Sequence, residues 1–282
     1  MSKIGIMVCG NSGVDYLKLN YPVKVIHSTL SLGGKEYEDF VDITADDFYT
    51  TVVNNPDIAI STSQTPTGKI AEVYEAFVEE GYTDVIAITI SSKLSGTYQG
   101  AVLAASMVEG INVHVVDSRS VSQGEVYLVL EAIEMIRAGK TAKQIAERLE
   151  KLRENIKIYV LVDTLKYLVK NGRLSATSGF LGTLLKIKPL LHVLPEGTLV
   201  PLEKIRTTSK ARERLLEILL SDIENKQVDI FIAYTNNKED AEGIKQLILQ
   251  KRNDVKVELV PLTPVVGAHA GPGTLGVGYI VR

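Results

Sequence analysis

The first half of the chain alternates short apolar, β-branched runs with longer segments whose apolar residues recur at helical spacing. That alternation points to a parallel sheet flanked by helices. Residues 3–9, 58–61, 84–90 and 112–116 read as strands. Between the second and third, Ile70, Val73, Tyr74, Phe77 and Val78 share one helix face. They predict a helix over 66–80, with Thr65 as N-cap, Pro66 at the first turn and Gly81 as its stop. Further helices are predicted over 121–137, closed by Gly139, and over 142–153, started by Thr141.

After the charged stretch 147–157 the order of elements changes, which places a domain boundary near residue 155 and divides the chain into 1–155 and 156–282. The second part opens with a strand over 157–162. Segments 187–194 and 198–203, separated by Pro195-Glu196-Gly197, read as a β-hairpin. A helix over 208–225, a strand over 228–234, a helix over 238–250 and strands over 255–260 and 276–281 follow. Segment 263–273 is too rich in glycine and proline for a long regular element.

Composition removes several function classes. A net charge of −3 and a pI near 5.9 give the chain no overall attraction for nucleic acid. The single cysteine, Cys9, excludes an intramolecular disulfide and a cysteine-based metal site, and its apolar surroundings make it a core residue. The four histidines, His27, His114, His192 and His269, lie far apart with no H-x-x-x-H spacing, so no metal site is expected. The start of the chain lacks a signal-peptide core, and no apolar stretch approaches the roughly 18 residues of a membrane span. The expected location is the cytoplasm.

In open parallel sheets the ligand crevice lies at the carboxyl ends of the strands. Here the predicted strands run into Asn11-Ser12-Gly13, Ser61-Thr62-Ser63-Gln64-Thr65, Ser91-Ser92-Lys93-Leu94-Ser95-Gly96-Thr97 and Asp117-Ser118-Arg119-Ser120. Hydroxyls, backbone N–H groups and helix N-termini together suit an anionic group. Ser, Thr, Asn and Asp are also the preferred helix caps, but the second and third loops carry more hydroxyls than one cap uses. His269 sits in the glycine-rich run 266–273, which is able to approach a ligand closely, and Arg173 sits in the turn 170–175 as a solvated side chain or a fixed guanidinium.

Sharper motifs fail on context. Gly271-Pro272-Gly273-Thr274-Leu275-Gly276 matches G-x-G-x-x-G but precedes a terminal strand. Gly139-Lys140-Thr141 lacks the earlier glycine of a P-loop, and Gly10-Asn11-Ser12-Gly13 lacks the last glycine of a nucleophile elbow. The readings left open are a binding protein, a serine-dependent enzyme using Ser95 or Ser12 with His269 as base, and a binding module for another small anion.

Several blocks, taken together and in order, resemble the DegV family. They are Ser61-Thr62-Ser63-Gln64 with Gly68, residues 90–99, Asn171 to Ser175, Leu184 to Leu191, Arg206-Thr207 and Gly267 to Gly273. The resemblance implies an α/β fold of two domains: a parallel sheet flanked by helices, then a mixed-sheet α/β domain, with a lipid tunnel between them. It implies a carrier without chemistry of its own or a cofactor, which binds a long-chain fatty acid of the palmitate or oleate type. The carrier would present the carboxylate to the catalytic subunit of a bacterial fatty acid kinase, which makes acyl phosphate for phospholipid synthesis. Carried over by position, Thr62 and Ser95 would hold the carboxylate, with His269, Ser63 and Ser92 beside them. Arg173 would dock the kinase, and a transient membrane-surface contact is compatible with the role. One departure stands out: family members usually carry Asp-Ser in the first loop, where this chain has Asn11-Ser12.

Overall fold

The computed structural model describes residues 3–174 and 187–282. Ser175 and residues 184–186, which belong to the family-like blocks, lie outside the described residues. In chain order the first part comprises β1 (Ile4–Cys9), β2 (Val23–Ile26), β3 (Thr29–Leu32), β4 (Lys35–Glu38), α1 (Ala45–Asn54), β5 (Ile60–Ser63), α2 (Thr67–Glu79), β6 (Asp84–Thr89), α3 (Thr97–Ala105), β7 (Asn112–Asp117), α4 (Gln123–Arg137) and α5 (Ala142–Leu152). The second comprises β8 (Ile156–Leu161), α6 (Lys166–Lys170), β9 (Lys188–Val193), β10 (Leu199–Ile205), α7 (Thr208–Asp222), β11 (Val228–Tyr234), α8 (Lys238–Lys251), β12 (Lys256–Pro261), α9 (Pro264–Ala270) and β13 (Leu275–Val281).

The all-parallel sheet has the order β2-β1-β6-β7. Every residue of β1 is buried, as expected for a strand covered on both faces. Ile70, Tyr74 and Phe77 of α2 pack with Met7, Val85 and Ala87 on one side, while Val126 and Val129 of α4 and Ile145 and Leu149 of α5 pack with Ile6, Val8 and Ile86 on the other.

The expected second strand is displaced. It runs over β5 and joins no parallel sheet; it pairs antiparallel with β3 in a three-stranded sheet of order β4-β3-β5. Leu30 and Leu32 of β3 alternate inward onto Phe48, Tyr49 and Val52 of α1 and Ala268 of α9. Thr65 does not cap α2. Its hydroxyl donates to the His27 carbonyl at 2.8 Å, and Pro66 holds the cap position.

The second sheet is mixed, in the order β10-β9-β8-β13-β11-β12, with only β11 and β12 parallel among its pairs. The hairpin expected around Gly197 is present as β9–β10. Period-two alternation divides β8 between two cores. Ile156 and Ile158 join the apolar cluster of the parallel sheet, whereas Tyr159 and Leu161 face α7 and α8. Phe231 and Ile280 share the inner face with Ile158. The inner face of the mixed sheet therefore lies against the elements of the first half, and a cavity sits between them. Within 263–273 the chain forms the seven-residue α9, started by Pro264 after Thr263.

Candidate functional site

The cavity encloses about 1140 Å³, counting its opening to solvent. Its walls are mostly apolar: Ile90, Val121, Ile158, Val160, Val193 and Phe231 all contribute. Thr62, Ser63, Ser95, Arg173 and His269 also line it, so five of the six residues singled out from the sequence meet in one pocket. Ser92 does not. Its backbone N–H donates to Asp117 Oδ1 at 3.1 Å, and its side chain is not among the lining groups.

Thr62 and His269 are in direct contact, with Thr62 Oγ1 and His269 Nε2 2.8 Å apart across 207 residues of sequence. In β5, Ile60 is buried and Thr62 half-buried while Ser61 and Ser63 are exposed, so alternation turns Thr62 inward. His269 is delivered by α9, which is located from several sides. Tyr49 of α1 donates its hydroxyl to the Leu262 carbonyl at 3.1 Å, and the backbone at Gly267 lies so close to Tyr49 that a Cβ there would stand 2.3 Å from the phenol oxygen. The Val265 N–H donates to Oδ1 of the fully buried Asp39 at 2.9 Å.

Burial pushes the His269 imidazole down to about 4, and the charge of Arg173 adds to the effect, so the ring is neutral at pH 7. Its Nδ1 is buried without a hydrogen-bond partner. An orphaned lone pair costs less than an orphaned N–H, which favours the tautomer with the proton on Nε2. His269 then donates to Thr62 Oγ1 and leaves the Thr62 hydroxyl proton free for a ligand oxygen. Ser95 is arranged similarly: its Oγ accepts from the Thr97 N–H at 3.3 Å and lies 2.8 Å from Thr97 Oγ1. With Thr97 as the hydroxyl donor of that pair, the Ser95 proton is also free. A neutral imidazole and two hydroxyls are donors without net charge; the positive charge comes from Arg173.

Arg173 donates from Nε to the Leu94 carbonyl at 3.2 Å and from Nη1 to the Asn171 carbonyl at 2.7 Å. Asn171 in turn donates to the Ala268 carbonyl at 3.0 Å. The turn after α6 thus ties the loop of Ser95 to the helix of His269. The sequence places Arg173 in a turn as a solvated side chain or a fixed guanidinium, and the resemblance makes it a docking residue; its position in the pocket wall comes from the structure.

Neither candidate nucleophile is hydrogen-bonded to the histidine. Ser95 meets Thr97, and Ser12 accepts from the Val14 N–H at 3.1 Å outside the cavity lining. Among the described residues no cluster of His, Cys, Asp and Glu could hold a metal ion, and no helix is long and apolar enough to cross a membrane. Burial raises the Cys9 thiol, which packs in the core.

Two buried acids escaped the sequence reading. Asp39 is raised to about 6 by burial, and nothing in its surrounding residues signalled its contact with α9. Glu125, fully buried and raised well above the carboxylate range, accepts from Asn11 Nδ2 at 2.5 Å. The pattern Ser122-x-x-Glu125 before an apolar run resembles a capping box and could have flagged it.

Comparison with known proteins agrees with this architecture. The model of the DegV family, described as uncharacterised proteins, matches residues 4–282. A DegV domain-containing protein of Clostridium acetobutylicum is 37% identical over 279 residues, covering 98% of each chain. Among solved structures, DegV of Bacillus subtilis, described as a fatty acid binding protein, aligns with a TM-score of 0.89 at 29% identity over 100% of both chains. A fatty acid binding DegV family protein of Streptococcus agalactiae aligns at 0.91 and 26% identity, also over 100% of both.

Proposed function

The chain belongs to the DegV family, and from that premise and the geometry of its pocket we propose that it carries a long-chain fatty acid of the palmitate or oleate type, with the carboxylate at Thr62, Ser95 and His269. The observation that carries this reading is a largely apolar cavity whose wall includes the Thr62–His269 pair, Ser95 and Arg173. Each methylene moved from water into such a wall contributes about 0.8 kcal/mol, so the tail supplies most of the affinity. The head group is fixed by hydroxyl donors relayed from His269 and Thr97 and by the charge of Arg173. Ser63 lies beside them, and Ser92 shapes the loop through its backbone.

In this reading the protein catalyses nothing itself. It presents the carboxylate to a separate fatty acid kinase for conversion to acyl phosphate, and the partly buried Arg173 serves both as counter-charge and as the contact for the kinase. Native mass spectrometry of the purified protein is the direct test, with a retained long-chain fatty acid as the expected result. Protein free of lipid that also fails to bind added palmitate or oleate overturns the carrier reading. Thr62→Val combined with Ser95→Ala should block acyl phosphate formation with a purified kinase; unchanged product formation would remove those residues from the head-group site.

A further inference from the structure

The cavity has a second polar place. Asn11, at the carboxyl end of β1, and Ser122, at the start of α4, both line it. Val121, adjacent to Ser122, lines the cavity and packs against the apolar cluster that holds Ile158 and Phe231 and, three residues either side of Asn11, Val8 and Val14, whereas Ile60 and Ala268, close to the head-group residues, belong to a different cluster. Asn11 and Ser122 therefore stand in the part of the wall that would meet the acyl chain.

Neither side chain is fully used by the protein. Asn11 Nδ2 donates to Glu125 Oε1, but its carbonyl oxygen has no hydrogen-bond partner among the described residues. Ser122 occupies the N-cap position of α4 without making the side-chain cap bond. It does so with φ 56° and ψ −130°, a backbone conformation that residues with a side chain rarely adopt. Strain of this kind persists where the surroundings fix it and is concentrated at ligand sites. Behind them Glu125 is fully buried, and its Oε1 accepts from Asn11 Nδ2, which holds the Asn11 amide in place.

A plain hydrocarbon chain in this cavity would leave the Asn11 and Ser122 groups unsatisfied, a cost that a ligand oxygen would remove. We propose that Asn11 and Ser122 form a subsite for an oxygen substituent on the acyl chain, so that the protein prefers a hydroxy or keto fatty acid to the unsubstituted acid. The hydroxyl of such a chain donates to Asn11 Oδ1 and accepts from Ser122 Oγ. An amide beside the buried Glu125 avoids placing two carboxyl groups together, and it offers a neutral partner to a hydroxyl.

This inference rests on the carrier reading, and the test separates the two. Delipidated protein is titrated with stearic acid and with monohydroxystearic acids bearing the hydroxyl at successive carbons along the chain. The expected result is one position, or two adjacent ones, that binds roughly tenfold more tightly than stearate. Ser122→Ala and, independently, Asn11→Leu should each shrink the ratio between that acid and stearate toward one. Stearate binding with no position preferred overturns the subsite while leaving the carrier, as does a preference that survives both variants. Binding of none of the acids overturns the carrier reading and the subsite with it.

Discussion

The two hydroxyl-bearing segments that supply the head-group site are held by different means. In the loop after β6, Ser91 donates to the Gly197 carbonyl at 2.8 Å and accepts from the Lys93 N–H, while Ser95 is paired with Thr97 two residues on. The pairing of Ser95 is local, although the loop that carries it is anchored at Gly197 and Asp117. Thr62 takes its partner from a helix 207 residues away, and that helix is placed by Tyr49, Asp39 and the absence of a side chain at Gly267. A surplus of hydroxyls thus marks one segment whose Ser95 finds its partner two residues on, and another whose Thr62 finds one only when a distant helix is correctly seated.

The sharpest way to break the second without the first is Gly267→Ala. The new methyl would collide with the Tyr49 ring, so Tyr49 or α9 must shift and the contact that seats the helix is lost; the expected cost is about 1–3 kcal/mol of stability together with loss of retained lipid. Thermal unfolding and native mass spectrometry measure both, and unchanged lipid content would show that the seating of α9 does not control the site.

Asp39 and His269 sharpen the comparison through pH. The folded pKa of His269 is depressed to about 4, so the unfolded chain binds more protons between pH 6.5 and 4, and stability falls as pH drops through that window. Asp39 is raised to about 6, so the folded chain binds more protons between about pH 4 and 6, and its burial costs stability as pH rises. The two slopes oppose each other. Asp39→Asn keeps an acceptor for the Val265 N–H and removes the buried charge. It should stabilise the protein at pH 7.5 by up to roughly 3 kcal/mol, with no gain below pH 4, leaving the His269 slope exposed. A stability difference that stays constant from pH 4 to 8 would contradict this assignment.

On the other side of the comparison, Ser91→Ala removes the bond to Gly197 and should cost about 1–2 kcal/mol while lipid remains bound. Loss of lipid at unchanged stability would give Ser91 a role in the site. The smallest effect is expected at Ser92→Ala, within about 0.5 kcal/mol and without change in lipid affinity, because its contact to Asp117 is made by the backbone. A clear fall in fatty acid affinity would return Ser92 to the head-group site.

The fold was legible where apolar periodicity was strong. The buried runs of β1 and β6 and the amphipathic helices α2 and α5 lie close to their expected positions. Between residues 10 and 57 lie β2, β3 and β4, whose four residues each give too little pattern to read, and the ten-residue α1, which the sequence reading also left unassigned. Helix α3 was passed over because its small and apolar residues do not segregate to one face. The spacing alone assigns residues 58–61 to the parallel sheet, because so short a strand does not encode its partner; pairing of Thr62 and Ile60 with Leu30 and Leu32 places β5 in another sheet.

From sequence alone came the class of fold, the exclusion of disulfide and cysteine-metal chemistry, and the hydroxyl-rich loops with Thr62 and Ser95, because composition and short-range pattern carry that information. The resemblance added the lipid. It also grouped His269 with Thr62 and Ser95, but the direct Thr62–His269 contact, Arg173 in the same wall and Glu125 behind Asn11 came only from the tertiary structure. Those contacts join residues far apart in the chain, and no local spacing constrains them; they follow from how sheets and helices bury their apolar faces against one another.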